Sequence, residues 1–192
     1  MDKGRLEAFS DGVLAVIITI MVLELKPPHE PTLAALHEAW PVLLSYVLSF
    51  IYVGIYWNNH HHMFKTIERI DGRVMWANLY LLFWISLFPF VTAWMSENHF
   101  AAVPTALYGF VLMMAALAWP LAARALIACN GPDCPLATAM GSDFKGKLSV
   151  VLYALAIPLA LFVNPWIACA LYVTVALVWL VPDRRMEKVV AS

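Results

Sequence analysis

The chain has 192 residues, of which 62% are hydrophobic and only 13% are charged, and its net charge at pH 7 is -1. Soluble domains contain about 45 to 50% apolar residues, so this composition indicates a polytopic membrane protein. No basic or acidic tail suggests a nucleic-acid partner, and the apolar segments leave too little length for a soluble catalytic domain. We therefore expect neither an enzyme nor a cofactor-binding protein.

Six apolar segments are long enough to cross a bilayer, which takes about 20 residues of helix. They cover approximately residues 6–26, 39–59, 75–95, 104–125, 147–163 and 165–182. Prolines mark their limits: Pro27 follows the first segment, Pro41 and Pro104 begin others, and Pro165 follows a tight turn. Since no internal repeat is found, residues 1–192 are predicted to form one all-α, six-span unit.

The distribution of Lys and Arg predicts the orientation of these spans. If both termini are cytoplasmic, Lys26 is the only one of the 12 Lys and Arg residues on the outer side. The others share the cytoplasmic side: Lys3, Arg5, Lys65, Arg69, Arg73, Arg124, Lys145, Lys147, Arg184, Arg185 and Lys188. This bias is a positive-inside signal. The alternative that the first span is a signal peptide lacks a small-residue cleavage site after it.

The first span carries a carboxylate, Asp11, inside the predicted membrane zone. Asp11 and Glu24 are separated by only twelve residues, or about 18 Å of helix, which is too short to span the hydrocarbon core. Asp11 lies about 9 Å from Arg5 along the helix, in the cytoplasmic half. A lipid-exposed carboxylate at mid-helix would cost about 2.5 to 3.5 kcal/mol, so Asp11 is expected to face protein or water.

A helical projection at 100° per residue separates two faces of this first helix. Ser10 and Asp11 point away from a narrow stripe on the other side. The stripe consists of Arg5, Phe9, Gly12, Val16, Thr19 and Leu23, with Ile20 at its edge. An ordinary packing face and a functional surface both fit this pattern.

Polar residues also lie toward the cytoplasmic ends of the first three spans. Ser10, Asp11, His60 and Asn78 are predicted to form a hydrogen-bonded cluster, because buried polar groups need partners. A structural or gating network is the favoured role, and a proton relay is the alternative. Arg5 fits either the inner mouth of a pore or a snorkelling interfacial position.

The remaining polar features favour no metal site. Consecutive helical residues diverge by 100°, so the adjacent His60, His61 and His62 cannot close on one ion, and His61 and His62 are expected near the interface. Cys129 and Cys134 lie in a predicted cytoplasmic connection, where reduced thiols are expected. Glu24 is either an acidic ring at an outer mouth or a solvated carboxylate.

Short motifs in the first three spans resemble a known family. Arg5-xxx-Phe9-Ser10-Asp11 matches the RxxxFSD signature of the transmembrane protein 175 family, the endolysosomal potassium channels and their bacterial homologues. The segment YWNNHHHMF resembles the family's Trp-x-x-His pattern through Trp57 and His60. The segment NLYLLFWISLFPF resembles its third helix through Asn78 and the closing Pro89-Phe90.

The resemblance implies a homotetramer in the bacterial plasma membrane that passes potassium ions passively. In that family the first helices line the pore, so the apolar constriction falls on Val16, Ile20 and Leu23, and the hydroxyl ring that favours potassium falls on Thr19. Val16 is smaller than the family's isoleucine or leucine, which leaves weak selectivity as an alternative.

Two other functions are weighed against the potassium channel. One is a proton-conducting channel of the same family, in which His60 and Asp11 titrate. The other is a proton-coupled transporter or a small membrane enzyme built around Asp11 and the histidines. A transporter would be favoured by inverted repeats or two broken helices, and the sequence indicates neither.

Overall fold

The computed structural model describes residues 2–141 and 143–180, and this part of the chain contains only α-helices and their connections. The helices are α1 (Lys3–Leu23), α2 (Leu33–Glu38), α3 (Trp40–Lys65), α4 (Gly72–Ser86), α5 (Phe88–Glu97), α6 (Ala102–Asn130), α7 (Pro135–Met140), α8 (Phe144–Phe162) and α9 (Pro165–Leu180). For these residues the prediction of an all-helical fold is confirmed. Positions 181 and 182 of the last predicted span, with Arg184, Arg185 and Lys188, lie outside the described residues.

Five helical segments are long and apolar enough to cross a membrane. They are α1, α3, the combined α4 and α5, α6 and α8, and each overlaps most of one predicted span. The helix α9 is also apolar and has 16 residues up to Leu180, the last described residue. The sixth crossing therefore stays a prediction.

The third predicted span, 75–95, lies within one apolar segment, Gly72–Glu97, whose helix is interrupted once. The helix breaks at Leu87, so that α4 ends at Ser86 and α5 begins at Phe88. Pro89 causes the break, because it has no N–H to donate to the carbonyl of Ile85 and its ring collides with that turn. Leu87 keeps near-helical angles (φ -82°, ψ -8°), and both parts belong to one 26-residue apolar segment.

The first helix also ends earlier than predicted, at Leu23 instead of residue 26. Pro27 disfavours helical angles at the preceding Lys26. The helix therefore ends in a tighter turn, in which the N–H of Leu25 donates to the carbonyl oxygen three residues earlier, that of Val22, at 3.1 Å.

The helices pack so that α1 lies at one side of the subunit. α1 packs against α3, α4 and α5, whereas α6 contacts α4, α5, α8 and α9. The face of α1 that packs on the subunit consists of Leu6, Ser10, Leu14, Ile17 and Met21, spaced by three or four residues. This spacing places them on one stripe of the helix. The opposite face of α1 is left uncovered.

Hydrogen bonds join several helix ends at the same end of the bundle. The ammonium of Lys3 at the start of α1 donates to the carbonyl oxygen of Ile67 at 2.7 Å. Asn130 at the end of α6 accepts from the N–H groups of Glu68 and Arg69 at 3.0 and 2.8 Å, and its amide donates to the Arg69 carbonyl at 2.9 Å. We call these bonds of Asn130 the Asn130 clamp. They attach α6 to the connection between α3 and α4.

Aromatic rings join the opposite end of the bundle. Trp40 begins α3, Phe100 lies between α5 and α6, and Trp166 lies in the first turn of α9. Their ring centroids are separated by 4.9 to 5.9 Å. Tryptophan rings prefer the membrane–water interface, so this cluster marks a membrane surface.

Candidate ion-conduction surface

The uncovered face of α1 carries the whole predicted stripe. Arg5, Phe9, Gly12, Val16, Thr19, Ile20 and Leu23 are all exposed in the subunit. The bulky apolar members are far from buried, with Val16 57%, Ile20 43% and Leu23 72% exposed. The structure thus places the residues predicted for the constriction on one continuous surface that no other described part of the chain covers.

The side chain of Thr19 places a hydroxyl oxygen on this surface, and the proton of that hydroxyl is already used in a hydrogen bond. Its hydroxyl donates to the carbonyl oxygen of Ala15 at 2.9 Å. A hydroxyl has one proton and two acceptor lone pairs, so the lone pairs of Thr19 stay available on the exposed side. Between Gly12 and Leu23, the exposed residues other than Thr19 have apolar side chains. One oxygen acceptor therefore stands among branched apolar groups.

A buried polar network lies on the opposite face of α1 and joins it to α3 and α4. The Nδ2 of Asn78 donates to the Ser10 Oγ at 2.9 Å, and the Asn78 Oδ1 lies 2.8 Å from the His60 Nε2. Ser10 donates its own proton to the Leu6 carbonyl oxygen at 2.9 Å. All three side chains are buried, with 0 to 2% exposed.

The bonds of this network fix the tautomer of His60. Because Ser10 uses its proton on the backbone, its Oγ must accept from the Asn78 amide, and the Asn78 Oδ1 must then face His60. The Nε2 of His60 therefore carries a proton and donates it. The Nδ1 is buried and has no hydrogen-bond partner among the described residues. A neutral His60 imidazole therefore has its single N–H, at Nε2, bonded to Asn78.

Asp11 does not take part in this network. Its side chain is half-buried and has no hydrogen bond or ion pair within the part of the chain that the structure describes. The helices are joined through Ser10 instead, because a step of one residue turns the helix by 100° and points Asp11 to a different side. Of the four residues predicted to cluster, the structure brings together Ser10, His60 and Asn78.

A second link between α1 and α3 involves Glu7, which the sequence analysis missed. His61 Nδ1 donates to Glu7 Oε1 at 3.1 Å, and both side chains are partly exposed. Trp57, which is 49% exposed, stacks on the His61 ring at 6.3 Å between centroids. Glu7 could have been suspected because it lies one turn before Ser10 and Asp11 on the same helix.

Glu24 and the three cysteines are not brought together into a site in the described part of the subunit. Glu24 is exposed and immediately follows Leu23 at the end of α1. Cys129, Cys134 and Cys169 are free thiols. Within residues 2–141 and 143–180, no three His, Cys, Asp or Glu side chains come together as they would around a metal ion.

Buried hydroxyls behind α3 form a further network that the sequence analysis missed. Ser49 bonds to the hydroxyls of Thr92 (2.7 Å) and Tyr108 (2.9 Å). The Tyr52 hydroxyl donates to the Tyr172 carbonyl at 2.6 Å and accepts from Tyr153 at 3.1 Å. These bonds fix α3 against α5, α6, α8 and α9 and so hold the surface on which α1 packs. The only sequence signal is the presence of hydroxyl groups in apolar helices.

Comparisons with known proteins agree with this arrangement. A family model described as the endosomal/lysosomal potassium channel TMEM175 matches residues 5–89. A protein named as a potassium channel from a Chryseobacterium species is 52% identical over 188 residues, covering 98% of this chain and 97% of the relative. The bovine protein named endosomal/lysosomal proton channel TMEM175 is 37% identical over 81 residues, or 36% of this chain and 17% of the relative.

A solved structure has the same fold. The crystal structure of a lysosomal potassium-selective channel TMEM175 homolog from Chamaesiphon minutus matches with a TM-score of 0.77 and 26% sequence identity. The match covers 94% of this chain and 97% of that chain. The helices around the uncovered face of α1 thus recur in a protein that conducts ions.

Proposed function

Because the chain belongs to the TMEM175 family of ion channels, we propose that four copies assemble into a potassium-selective cation channel whose pore is lined by α1. The chain is a multi-pass membrane protein of a channel family, not an enzyme. Both the potassium preference and the tetramer go beyond that family assignment. The relative at 52% identity is named a potassium channel, and the structural neighbour's title describes a potassium-selective channel.

The uncovered face of α1 is the observation that carries the proposal. With this face around a central axis, Val16, Ile20 and Leu23 form apolar rings, and such rings gate ions by dewetting. Selectivity additionally needs oxygen dipoles that replace lost hydration, and the free lone pairs of Thr19 supply them in each copy. Glu24 follows directly, and because its side chain lines a cavity behind α1 in the subunit, the geometry favours a solvated carboxylate over an acidic ring at the outer mouth.

The proposed orientation places both termini in the cytoplasm and the channel in the bacterial plasma membrane. The Lys and Arg distribution supports it, because Lys26 alone falls on the outer side. The bonds from Lys3 to Ile67 and from Asn130 to Arg69 are consistent with it, since they gather one set of helix ends at one end of the bundle.

The experiment is passive ion flux through the purified full-length protein in liposomes. Without any nucleotide or second driving ion, we expect a potassium flux larger than the sodium flux. Ile20→Ser and Leu23→Ser should increase leak by hydrating the constriction. Leu155→Ser is the matched control, because Leu155 is 52% exposed on α8, which is not among the helices that pack against α1. Absence of passive flux from well-folded tetramers would overturn the proposal.

A proton-conducting channel is the second candidate, because the bovine relative is named a proton channel. The His60 geometry argues for the structural role instead. A proton added at Nδ1 would create a buried N–H that has no acceptor among the described residues. A pH-dependent current that persists after potassium is removed would favour the proton channel.

A transporter is a weaker third candidate. It would need broken helices at corresponding positions of two inverted repeats. The described residues show one such break, at Leu87 in the third span. Uptake that requires a proton gradient, with no passive flux, would favour this candidate.

A further inference from the structure

A cavity of about 410 Å³ lies behind the end of α1, on the side away from the proposed pore. We call it the α1–α5 groove. Its walls come from the end of α1 and the residues that follow it, from α2, from the beginning of α3 and from the length of α5. Most of the lining is apolar and includes Met21, Leu36, Leu43, Tyr46, Pro89 and Ala93. The volume lies within the range of about 300 to 1,000 Å³ that small-molecule sites occupy.

The Ser and Thr hydroxyl groups in the wall of this groove have hydrogen-bond partners within the protein. Ser45 donates to the Pro41 carbonyl oxygen at 2.8 Å, and Ser96 donates to the Ala93 carbonyl oxygen at 3.0 Å. Thr92 bonds to the hydroxyl of Ser49. The interior is therefore mostly apolar, with the Tyr46 hydroxyl as a polar group that has no hydrogen-bond partner among the described residues, and it suits a hydrocarbon chain.

Charged groups of both signs line the rim of the groove. Glu24, Lys26 and Glu97 line it and are exposed. Their side chains form no ion pair with any other described residue. All three lie at the end of the bundle where α1 and α5 terminate, and Trp40 marks the same end as a membrane surface. An ammonium and two carboxylates thus stand over an apolar cavity at the membrane–water boundary.

We propose that the α1–α5 groove binds a phospholipid with a zwitterionic phosphoethanolamine headgroup. One acyl chain lies in the cavity, the phosphate pairs with Lys26, and the primary ammonium of the headgroup donates to Glu24 and Glu97. The two carboxylates give the rim a net negative charge, which disfavours a purely anionic headgroup. A choline headgroup has no N–H to donate, so the carboxylates also favour ethanolamine over choline.

The bound lipid would support the pore helix from behind. Met21 lines the groove and belongs to the buried face of α1, two residues before Leu23 on the proposed pore surface. The proposal depends on the membrane location of the chain and not on its ion selectivity. The test therefore measures lipid binding, so its failure would leave the potassium channel proposal intact.

The test is native mass spectrometry of the purified full-length protein with equal amounts of phosphatidylethanolamine, phosphatidylglycerol and phosphatidylcholine. We expect the wild type to retain phosphatidylethanolamine several-fold more than the other two lipids. Ala93→Trp fills the groove and should abolish this retention. Ala154→Trp is the matched control, because Ala154 is exposed on α8, outside the groove.

Glu97→Gln tests the headgroup assignment at an exposed position where folding should be unaffected. It should bring retention of phosphatidylethanolamine close to that of phosphatidylcholine. Equal retention of all three lipids by the wild type would overturn the headgroup assignment. Equal retention by wild type and Ala93→Trp would overturn the site. Loss of the oligomer in Ala93→Trp, with no lipid on the wild type, would show that a second copy of the chain fills the groove and would also overturn it.

Discussion

The two hydroxyl side chains of α1 allow its two faces to be tested separately. Ser10 and Thr19 each donate to the carbonyl four residues earlier, and both bonds are 2.9 Å long. Ser10 is fully buried and accepts from Asn78, whereas Thr19 is exposed. Alanine at either position therefore removes a hydrogen bond to the backbone of α1. Only alanine at position 10 also removes the acceptor of the Asn78 amide.

Ser10→Ala should reduce stability without changing ion preference. It leaves the buried Asn78 amide with one N–H that has lost its acceptor, which costs about 1 to 3 kcal/mol. For a chain of this size each kcal/mol lowers the midpoint of thermal unfolding by about 2 to 4 °C. Thr19→Ala should change stability by less than about 0.5 kcal/mol, because the site is exposed and alanine favours a helix.

Thr19→Ala should instead reduce the preference for potassium. It removes one oxygen per copy from the proposed pore, and a loss of about 1.4 kcal/mol in discrimination would reduce the flux ratio about tenfold. The assays are the thermal midpoint of the detergent-solubilised oligomer and the ratio of potassium to sodium flux in liposomes. A lower flux ratio in Ser10→Ala with unchanged stability, or an unchanged ratio in Thr19→Ala, would refute the assignment of the two faces.

Four further substitutions test the contacts of α1 and the packing behind it. Gly109→Ala should destabilise the protein by about 1 to 3 kcal/mol in thermal unfolding, because the added Cβ would overlap the Tyr172 hydroxyl. Gly54→Ala is the control, because its Cβ meets open space and should stabilise the helix slightly. Equal effects of the two substitutions would contradict this packing. Asp11→Asn should leave assembly and the flux ratio unchanged, since Asp11 has no hydrogen bond or ion pair with any described residue. A changed ratio in an intact tetramer would show that Asp11 faces the ions. Glu7→Gln should cost less than about 1 kcal/mol in the same melting assay, because the Glu7–His61 hydrogen bond that it weakens is partly exposed. A larger loss would mean that this contact is buried in the assembly.

The sequence was sufficient to predict the helices and the two faces of α1 because both depend on local periodicity. Runs of apolar residues locate the spans, and the 100° step places Val16, Thr19 and Leu23 on one stripe, which the structure leaves uncovered. The break at Leu87 was also readable in principle, because Pro89 is visible in the sequence. It was missed because the hydropathy of the segment does not change there.

Contacts between helices could not be predicted in the same way. Asp11 was expected in the polar cluster because carboxylates in membranes usually find partners, yet Asn78 bonds to Ser10. The choice depends on how α1 is rotated against α4, and packing of the whole buried face determines that rotation. The bonds of Tyr52 to α8 and α9 join residues 101 and 120 positions apart, for which sequence spacing contains no information.

The Asn130 clamp has a consequence for how the protein is made. The N–H of Glu68 donates to the side chain of Asn130, which lies 62 residues later in the chain, so this N–H lacks its acceptor until Asn130 has been synthesised. At a synthesis rate of about 5 to 20 residues per second, that acceptor leaves the ribosome about 3 to 12 s afterwards. The connection between α3 and α4 must therefore stay hydrated at the membrane surface until α6 has been inserted, so α3 and α4, on which α1 packs, are attached to α6 only after that delay.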